Sequence, residues 1–361
     1  MNKVVIIGAG QTGRGFIAPI FKDNKFNITF VDKNKKLVKQ LQQENQYTIE
    51  YFGNVREKRI ISGFEAYSID DQQALEAIAN ADIVITCVFA LNIEQLISVL
   101  KEAIKARING KMTILCCENG VNVKKPLIDA NLDAIISEGI IFCTTLKPDE
   151  TKLDLLSQDY PDMPIDAKVD GLNVHLIRMP LEQDFASLIQ RKIYTYNFIS
   201  AVVAYLGDYL GYQVYGEAAN DIIISEFIDK VVPVLSSVIA QKYNIPYDTQ
   251  LQFSNQAVSK FRNKEIYDTI YRNARGAERK LCINERLLTP LQLAIEYNAQ
   301  TDPFELVIAA ALYYAQEKEG LDAEKTLADM NEFLKDESIV KRISNLFQMF
   351  KGKRSLSDII I

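Results

Sequence analysis

A glycine-rich loop near the start of the chain is the first segment whose residue types suggest chemistry. The run Gly8-Ala9-Gly10-Gln11-Thr12-Gly13 follows an apolar stretch and has G-x-G-x-x-G spacing. Gly8 allows a tight turn, Gly10 lets the backbone approach a pyrophosphate, and Gly13 allows close packing of helix on strand. Gln11 and Thr12 open a helix whose N–H groups face the phosphate charge. The loop predicts dinucleotide binding; the alternative is a strand–turn–helix without a ligand.

Asp32 predicts which dinucleotide is bound. It ends the second apolar strand, about 20 residues after the loop, where the fingerprint requires an acidic residue. Its carboxylate is expected to accept hydrogen bonds from the adenosine ribose, and its charge would repel a 2′-phosphate. The sequence therefore favours NAD over NADP, although the adjacent Lys33 weakens this preference slightly.

A basic cluster in the second half of the chain suggests an anionic substrate. Arg272, Arg275 and Arg279 have i, i+3, i+7 spacing, which predicts one face of a helix, and Lys280 lies beside them. Guanidinium groups suit bidentate binding of phosphate. The alternative is a solvated helix face that is partly paired with neighbouring glutamates. In an acidic chain the cluster favours a phosphorylated substrate.

The first half of the chain alternates apolar strands with amphipathic helices. We predict strands at Val4–Ile7, Ile28–Asp32, Asp82–Val88 and Met112–Cys117, and a helix at Ile93–Ala106. This alternation is typical of a Rossmann-type doubly wound α/β sheet. The stretch Tyr47–Tyr67, around Gly53 and Gly63, is interpreted as a β-insertion.

The second half reads as mainly α-helical. The apolar periodicity predicts helices at Ile189–Leu210, Ile222–Tyr243, Pro290–Tyr297 and Pro303–Glu317. Two domains follow: an NAD-binding domain over residues 1–181 and a helical substrate domain over residues 182–361. We expect a site in the cleft between them, where ligand sites often lie.

Composition excludes several classes of protein and site. The 361 residues carry a net charge of −6, which argues against nucleic-acid binding. No apolar run is long enough to span a membrane, and the N-terminus lacks the pattern of a signal peptide, so we expect a cytoplasmic protein. The single histidine, His175, stands in an apolar context, and the five cysteines include no CxxC pair. Neither a metal site nor a histidine-based triad is therefore expected.

Longer motifs carry a family resemblance. The opening GAGQTGRGF at Gly8–Phe16 resembles the mannitol-1-phosphate 5-dehydrogenase branch of the polyol-specific long-chain dehydrogenases. The C-E-N segment at Cys117–Asn119, the Lys-x4-Asn pair Lys192 and Asn197, and the basic run Arg272–Leu291 are similar to that family too. There are two departures: Ser200 replaces the family's histidine, and Thr144–Pro148 replaces its Asp-Arg segment.

The resemblance implies a lysine-based mechanism. A dehydrogenase must remove the hydroxyl proton of an alcohol, and without a suitable histidine Lys192 is the best candidate base. Burial beside the positive nicotinamide would lower its pKa. Asn119 and Asn197 could hold the substrate oxygen, and Ser200 could contribute a neutral hydrogen bond. On an ideal helix Asn197 lies about 140° from Lys192, and Ser200 about 80°.

The predicted function is interconversion of a polyol phosphate and a ketose phosphate, of the mannitol 1-phosphate and fructose 6-phosphate type, by a monomer or small homo-oligomer. Two alternatives stay open. One is a non-catalytic protein that binds or senses NAD, and the other is a dehydrogenase of another small anion, such as a hexuronate or keto acid.

Overall fold

The computed structural model describes residues 2–52 and 57–360, which form two compact units. The first is Met1–Ile189 and the second is Gln190–Ile361, a division eight residues after the predicted boundary between 181 and 182. Gly53, one of the two glycines of the predicted β-insertion, lies outside the described residues. None of the described helices is long and apolar enough to cross a bilayer.

The described strands all belong to the first unit. They are β1 (Lys3–Ile7), β2 (Asn27–Asp32), β3 (Gln46–Tyr51), β4 (Lys58–Ser62), β5 (Glu65–Ser68), β6 (Ile83–Thr86), β7 (Met112–Cys116), β8 (Ala134–Glu138), β9 (Thr145–Leu146), β10 (Leu155–Ser157), β11 (Ile165–Asp166) and β12 (Leu181–Glu182). The helices that begin in this unit are α1 (Ala18–Asp23), α2 (Lys35–Glu44), α3 (Gln72–Ala79), α4 (Ile97–Ala106), α5 (Lys125–Asp129) and α6 (Phe185–Lys192). A π-helical turn at Gly13–Ile17 precedes α1, and a 3₁₀ helix at Ala90–Leu96 precedes α4.

A parallel six-stranded sheet with the order β5-β2-β1-β6-β7-β8 confirms the predicted Rossmann-type architecture. Alternate residues of β1 enter different cores: Val4 and Ile6 pack on one face of the sheet, Val5 and Ile7 on the other. Covering on both faces explains why these strands are apolar throughout. From β1 the chain adds strands first on one side of the sheet and then, starting with β6, on the other. Open α/β sheets bind ligands at this topological switch point between β1 and β6.

The predicted β-insertion is only partly correct. Strands β3 and β4 do pair antiparallel and belong to a second, four-stranded sheet with the order β4-β3-β10-β9. However, β5 pairs parallel with β2 and forms an edge of the main sheet instead. The small sheet adjoins the glycine-loop helix, because a Cβ added to Gly15 would lie 2.4 Å from Cγ2 of Thr145 on β9.

The described part of the second unit contains helices without strands. After a π-helical turn at Ile193–Asn197 come α7 (Phe198–Tyr209), α8 (Tyr215–Ala219), α9 (Ile222–Tyr243), α10 (Tyr247–Arg262), α11 (Ile270–Ala274), α12 (Ala277–Lys280), α13 (Leu288–Glu296), α14 (Asp302–Glu319), α15 (Ala323–Leu334), α16 (Glu337–Lys351) and α17 (Leu356–Ile359). Helix α9 has the predicted bounds because Asp221 caps its N-terminus, accepting bonds from Ile223 N and Ile224 N, and Asn244 adopts a φ of 49° after its last turn.

Candidate active site

The glycine loop joins β1 to the first helix at the switch point of the sheet. Gly8 has a φ of +101°, and a Cβ there would lie 2.5 Å from the carbonyl oxygen of Cys87. A Cβ on Gly13 would lie 2.3 Å from the carbonyl oxygen of Gly8. Both positions therefore require glycine for local packing, as the motif predicts.

Gly10 requires glycine for a different reason. A Cβ built on Gly10 would meet no protein atom within 4 Å, so the space in front of this backbone is open. The adjoining cavity has a volume of about 400 Å³ and is lined by Gly8, Asp32, Ile69 and Phe89, among others. Open space at the middle glycine is what a pyrophosphate needs, and the residues present therefore fit NAD.

Asp32 ends β2 beside this loop. Its Oδ2 accepts a hydrogen bond from Ala9 N at 2.8 Å, and its Oδ1 accepts one from Asn34 N at 2.8 Å. Each carboxylate oxygen has a further acceptor site for a ribose hydroxyl. Gln11 and Thr12 lie half-buried in the first turn after the loop.

Asn119 lies at the surface on the loop that follows β7. The preceding Glu118 is buried and ties this loop to the end of β6. Its Oε2 accepts from Thr86 Oγ1 at 3.0 Å and its Oε1 from Val88 N at 3.0 Å. Burial raises the pKa of the Glu118 carboxyl. The C-E-N motif alone gives no sign of this positioning role of Glu118, because its partners lie about 30 residues earlier in the chain.

Lys192 directly precedes the π-helical turn of the second unit, and Asn197 ends it. Helix α6 ends at Lys192, and Ile193–Asn197 closes its hydrogen bonds over five residues instead of four. The angle of about 140° expected for an ideal α-helix is therefore wrong here. A wider turn brings residues five apart nearer to the same face. The π turn thus gives the Lys-x4-Asn spacing a structural reason.

Lys192 is a buried lysine. The residue is 6% exposed, and burial, with repulsion from Lys260 and Arg286, lowers its pKa from the ordinary 10.5 to about 7. Near neutral pH a large fraction of such an amine is uncharged and can accept a proton. The sequence predicted a depressed pKa, but Lys260 and Arg286 were not identified as its causes.

A buried polar network braces the same turn. Gln250, on α10, is fully buried; its Oε1 accepts from Arg191 Nε at 2.9 Å, and its Nε2 donates to Thr195 Oγ1 at 2.9 Å. The guanidinium of Arg191 also lies 4.9 Å from the ring centroid of Phe253. Gln250 therefore holds the residue before Lys192 and the middle of the turn. Ser200 lies half-buried in α7, with its hydroxyl near that of Tyr215.

The basic cluster does not form the predicted single helix face. Helix α11 ends at Ala274, Gly276 adopts a φ of +70°, and a separate short helix begins at Ala277. The break places Arg272 on α11, exposed Arg275 in the connection, and Arg279 on α12. Three-residue spacing indicates a face only while the helix continues, and this one ends where Arg275 becomes extended, one residue before Gly276.

The members of the cluster also differ in their partners. Arg272 bonds Asp268, and Arg279 bonds Glu285. Lys280 is buried; its Nζ donates to the carbonyl oxygens of Asn273 and Ala274 and lies 5.6 Å from the ring centroid of Tyr205. Burial, together with Arg286 and Arg279, lowers the pKa of Lys280 to about 7. A cavity of about 600 Å³ in the second unit is not lined by any predicted site residue.

Comparisons with known proteins agree with this arrangement. The family model for the mannitol dehydrogenase Rossmann domain matches residues 2–146, and that for the mannitol dehydrogenase C-terminal domain matches residues 184–350. A mannitol-1-phosphate 5-dehydrogenase of Thermoanaerobacter pseudethanolicus is 30% identical over 100% of this chain and 97% of its own length. One from Buchnera aphidicola is 30% identical over 85% of each chain.

Solved structures share the fold at low sequence identity. A substrate-free D-sorbitol dehydrogenase matches with a TM-score of 0.76 and 15% identity, covering 97% of this chain and 93% of its own. A Pseudomonas fluorescens mannitol 2-dehydrogenase, in a ternary complex with NAD and D-mannitol, matches with a TM-score of 0.72 and 14% identity, covering 99% and 93%. Given these matches and the NAD-fitting loop, the chain belongs to the mannitol dehydrogenase family of NAD-dependent oxidoreductases.

Proposed function

We propose that this enzyme interconverts a polyol phosphate and a ketose phosphate, of the mannitol 1-phosphate and fructose 6-phosphate type, with Lys192 as general base. The observation that carries the proposal is the buried Lys192 amine with a pKa of about 7, beside a turn that ends at Asn197. The names of the nearly full-length relatives support the choice of substrate.

Removal of the hydroxyl proton is the step that the side chains must perform. NAD⁺, when bound, supplies the hydride acceptor, with Gly8, Gly10, Gly13 and Asp32 as its binding residues. The neutral Lys192 amine takes the hydroxyl proton and becomes an ammonium. In the reverse direction this ammonium returns the proton to the forming alcohol. A base with a pKa near the working pH serves both directions.

Charge that develops on the substrate oxygen needs hydrogen-bond donors. We propose that the amide group of Asn197 donates to this oxygen, and that Asn119 has the same role. Ser200 can donate a neutral hydrogen bond where the family carries histidine. Because a hydroxyl cannot carry positive charge, we expect weaker stabilisation of the oxyanion than an imidazolium would give.

Phosphate recognition is proposed for the basic cluster of Arg272, Arg275, Arg279 and Lys280. Arg272 and Arg279 already hold carboxylates. In the described ranges, no carboxylate lies within 4.0 Å of the Arg275 guanidinium, and its side chain is exposed. Arg275 is therefore the member best able to offer its guanidinium to a substrate phosphate.

The test is NADH formation from mannitol 1-phosphate, free mannitol and a hexuronate-derived alcohol, with wild type and Lys192→Ala. We expect turnover of the phosphorylated polyol, a rate that rises as pH increases through about 7, and loss of activity in Lys192→Ala. Full activity in Lys192→Ala, or no group titrating below pH ~10, would reject the lysine mechanism. NADH binding without turnover of any substrate would favour the alternative of a protein that senses NAD. Preference for the hexuronate-derived alcohol would show that this alcohol, and not a polyol phosphate, is the substrate.

We further propose that the enzyme acts in the cytoplasm as a monomer or small homo-oligomer. The use of NAD, an intracellular cofactor, supports this location. Cell fractionation and light scattering of the purified chain would test the two statements separately.

A further inference from the structure

A buried arginine lies directly behind the cofactor loop. Arg14, in the π-helical turn that begins at Gly13, is 1% exposed. Its Nε donates to the carbonyl oxygen of Ala9 at 2.7 Å, and its Nη1 donates to that of Leu153, just before β10. Its guanidinium also lies 5.3 Å from the ring centroid of Tyr47 on β3. One side chain thus joins the glycine loop to the small sheet.

The charge of Arg14 lacks a direct counter-charge. Over residues 2–52 and 57–360, no carboxylate lies within 4.0 Å of its guanidinium, and Asp32 and Asp154 act on it only at longer range. Burial lowers the pKa of Arg14, but an arginine remains protonated in proteins. Charged groups that are buried are normally paired. Carbonyl oxygens and an aromatic face supply only partial negative charge to this cation.

The peptide that Arg14 holds is central to cofactor binding. Ala9 lies between the first two glycines of the motif; its N–H donates to Asp32 Oδ2 at 2.8 Å, and its carbonyl oxygen accepts from Arg14. The Tyr47 hydroxyl donates to the carbonyl oxygen of Arg14 at 2.8 Å, which fixes the turn that carries the guanidinium. The loop backbone is therefore held from both sides.

We propose that Arg14 is a cofactor-positioning residue, a buried cation that fixes the Ala9 peptide and complements the negative charge of the NAD diphosphate. The small sheet then has a role in cofactor binding, because Leu153 and Tyr47 hold the arginine in place. Binding of a diphosphate at the open face of Gly10 brings negative charge close to the buried cation. This inference depends on NAD binding and not on the identity of the polyol.

Coulomb's law gives the size of the expected effect. For two unit charges roughly 8 Å apart at an effective dielectric constant of ~20, the law gives an interaction that changes affinity on the order of 30-fold. Displacement of the Ala9 carbonyl would add to this loss. Because Arg14 is buried, salt screens this interaction little, and we expect the loss of affinity to persist at high salt.

The experiment is NADH fluorescence titration without substrate, at low and high salt, of wild type, Arg14→Met and Arg14→Lys. The matched control is Arg59→Met, because Arg59 lies on β4 of the same sheet but bonds Asp23 and the carbonyl oxygen of Pro19 on α1. We expect Kd to rise on the order of 30-fold in Arg14→Met and by less in Arg14→Lys, which keeps the charge but reaches fewer acceptors. Arg59→Met should bind within about twofold of wild type.

A folded Arg14→Met protein that binds NADH with wild-type affinity at both low and high salt would overturn the proposal. If Arg14→Met does not fold, Arg14→Lys decides, and wild-type affinity in that variant refutes the positioning role. A wild-type protein that binds NADH but oxidises no polyol would refute the proposed function and would leave the proposed role of Arg14 unaffected.

Discussion

Replacement of Lys192 by methionine should abolish activity and yet stabilise the protein at neutral pH. The physical reason is that folding buries an amine whose charged form is disfavoured, which lowers its pKa from 10.5 to about 7. At 1.36 kcal/mol for each pKa unit, this difference corresponds to a penalty of about 5 kcal/mol. Methionine has a similar shape and no charge, so Lys192→Met removes up to that amount.

The sign and the pH range of this effect follow from proton linkage. Below about pH 7 the lysine is charged in both states, and the folded state bears the whole penalty. Between about 7 and 10.5 the unfolded chain binds the additional proton, so the stability of wild type rises with pH. Above that range both states are neutral and the penalty disappears. The advantage of Lys192→Met should therefore decrease by ~1.4 kcal/mol for each pH unit between pH 7 and 10.

Urea denaturation across this pH range measures the difference directly. The matched control is Lys242→Met, since Lys242 is an exposed lysine on α9. We expect the difference between wild type and the control to be nearly constant with pH. A Lys192→Met protein that is no more stable than wild type at pH 7, or a difference that does not change with pH, would refute the idea that this amine is desolvated.

Three further predictions concern the loop and the turn. Gln250→Ala should lower kcat/KM roughly tenfold and shift the pH profile, because Arg191 and Thr195 lose a buried partner. The control is Gln256→Ala, at an exposed position of the same helix, and equal pH profiles of the two variants would contradict a positioning role for Gln250. Phe89 has a φ of 69° and is 78% exposed, so Phe89→Gly should raise the free energy of unfolding by about 1 kcal/mol. Phe89→Ala should not raise it, and an unchanged melting temperature in Phe89→Gly would argue against backbone strain at this position. Gly10→Ala should fold normally and bind NADH weakly, because its Cβ meets no protein atom. Gly13→Ala should be destabilised by contact with the Gly8 carbonyl oxygen. Opposite rankings of the two variants in calorimetry and NADH titration would contradict this prediction.

Much of the cofactor site could be predicted from the sequence because its determinants are local. Gly8 needs a φ of +101°, Gly13 approaches the Gly8 carbonyl oxygen within the same loop, and Asp32 ends β2 at the spacing that the motif requires. Helix α9 was predicted with its observed bounds because its caps are adjacent in sequence. The apolar β-branched runs were sufficient to indicate a parallel sheet covered on both faces.

Features that depend on distant residues were not predictable in the same way. The pairing of β5 with β2, and not with its neighbour β4, depends on a register that turn and periodicity patterns do not encode. The break between α11 and α12 is not encoded in the spacing of the basic residues, since spacing predicts a shared face only for a continuous helix.

The sequence by itself determined which residues have the right chemistry: a dinucleotide loop, an acidic residue at the end of β2, and a lysine five residues before an asparagine. Only the tertiary structure decided the pKa values and the contacts of these side chains. The pKa of Lys192 depends on burial and on Lys260 and Arg286, which lie far along the chain, and Arg14 acquires its role only because β3 and the segment before β10 enclose it. Desolvation and Coulomb interactions depend on distances in space, and folding alone sets those distances.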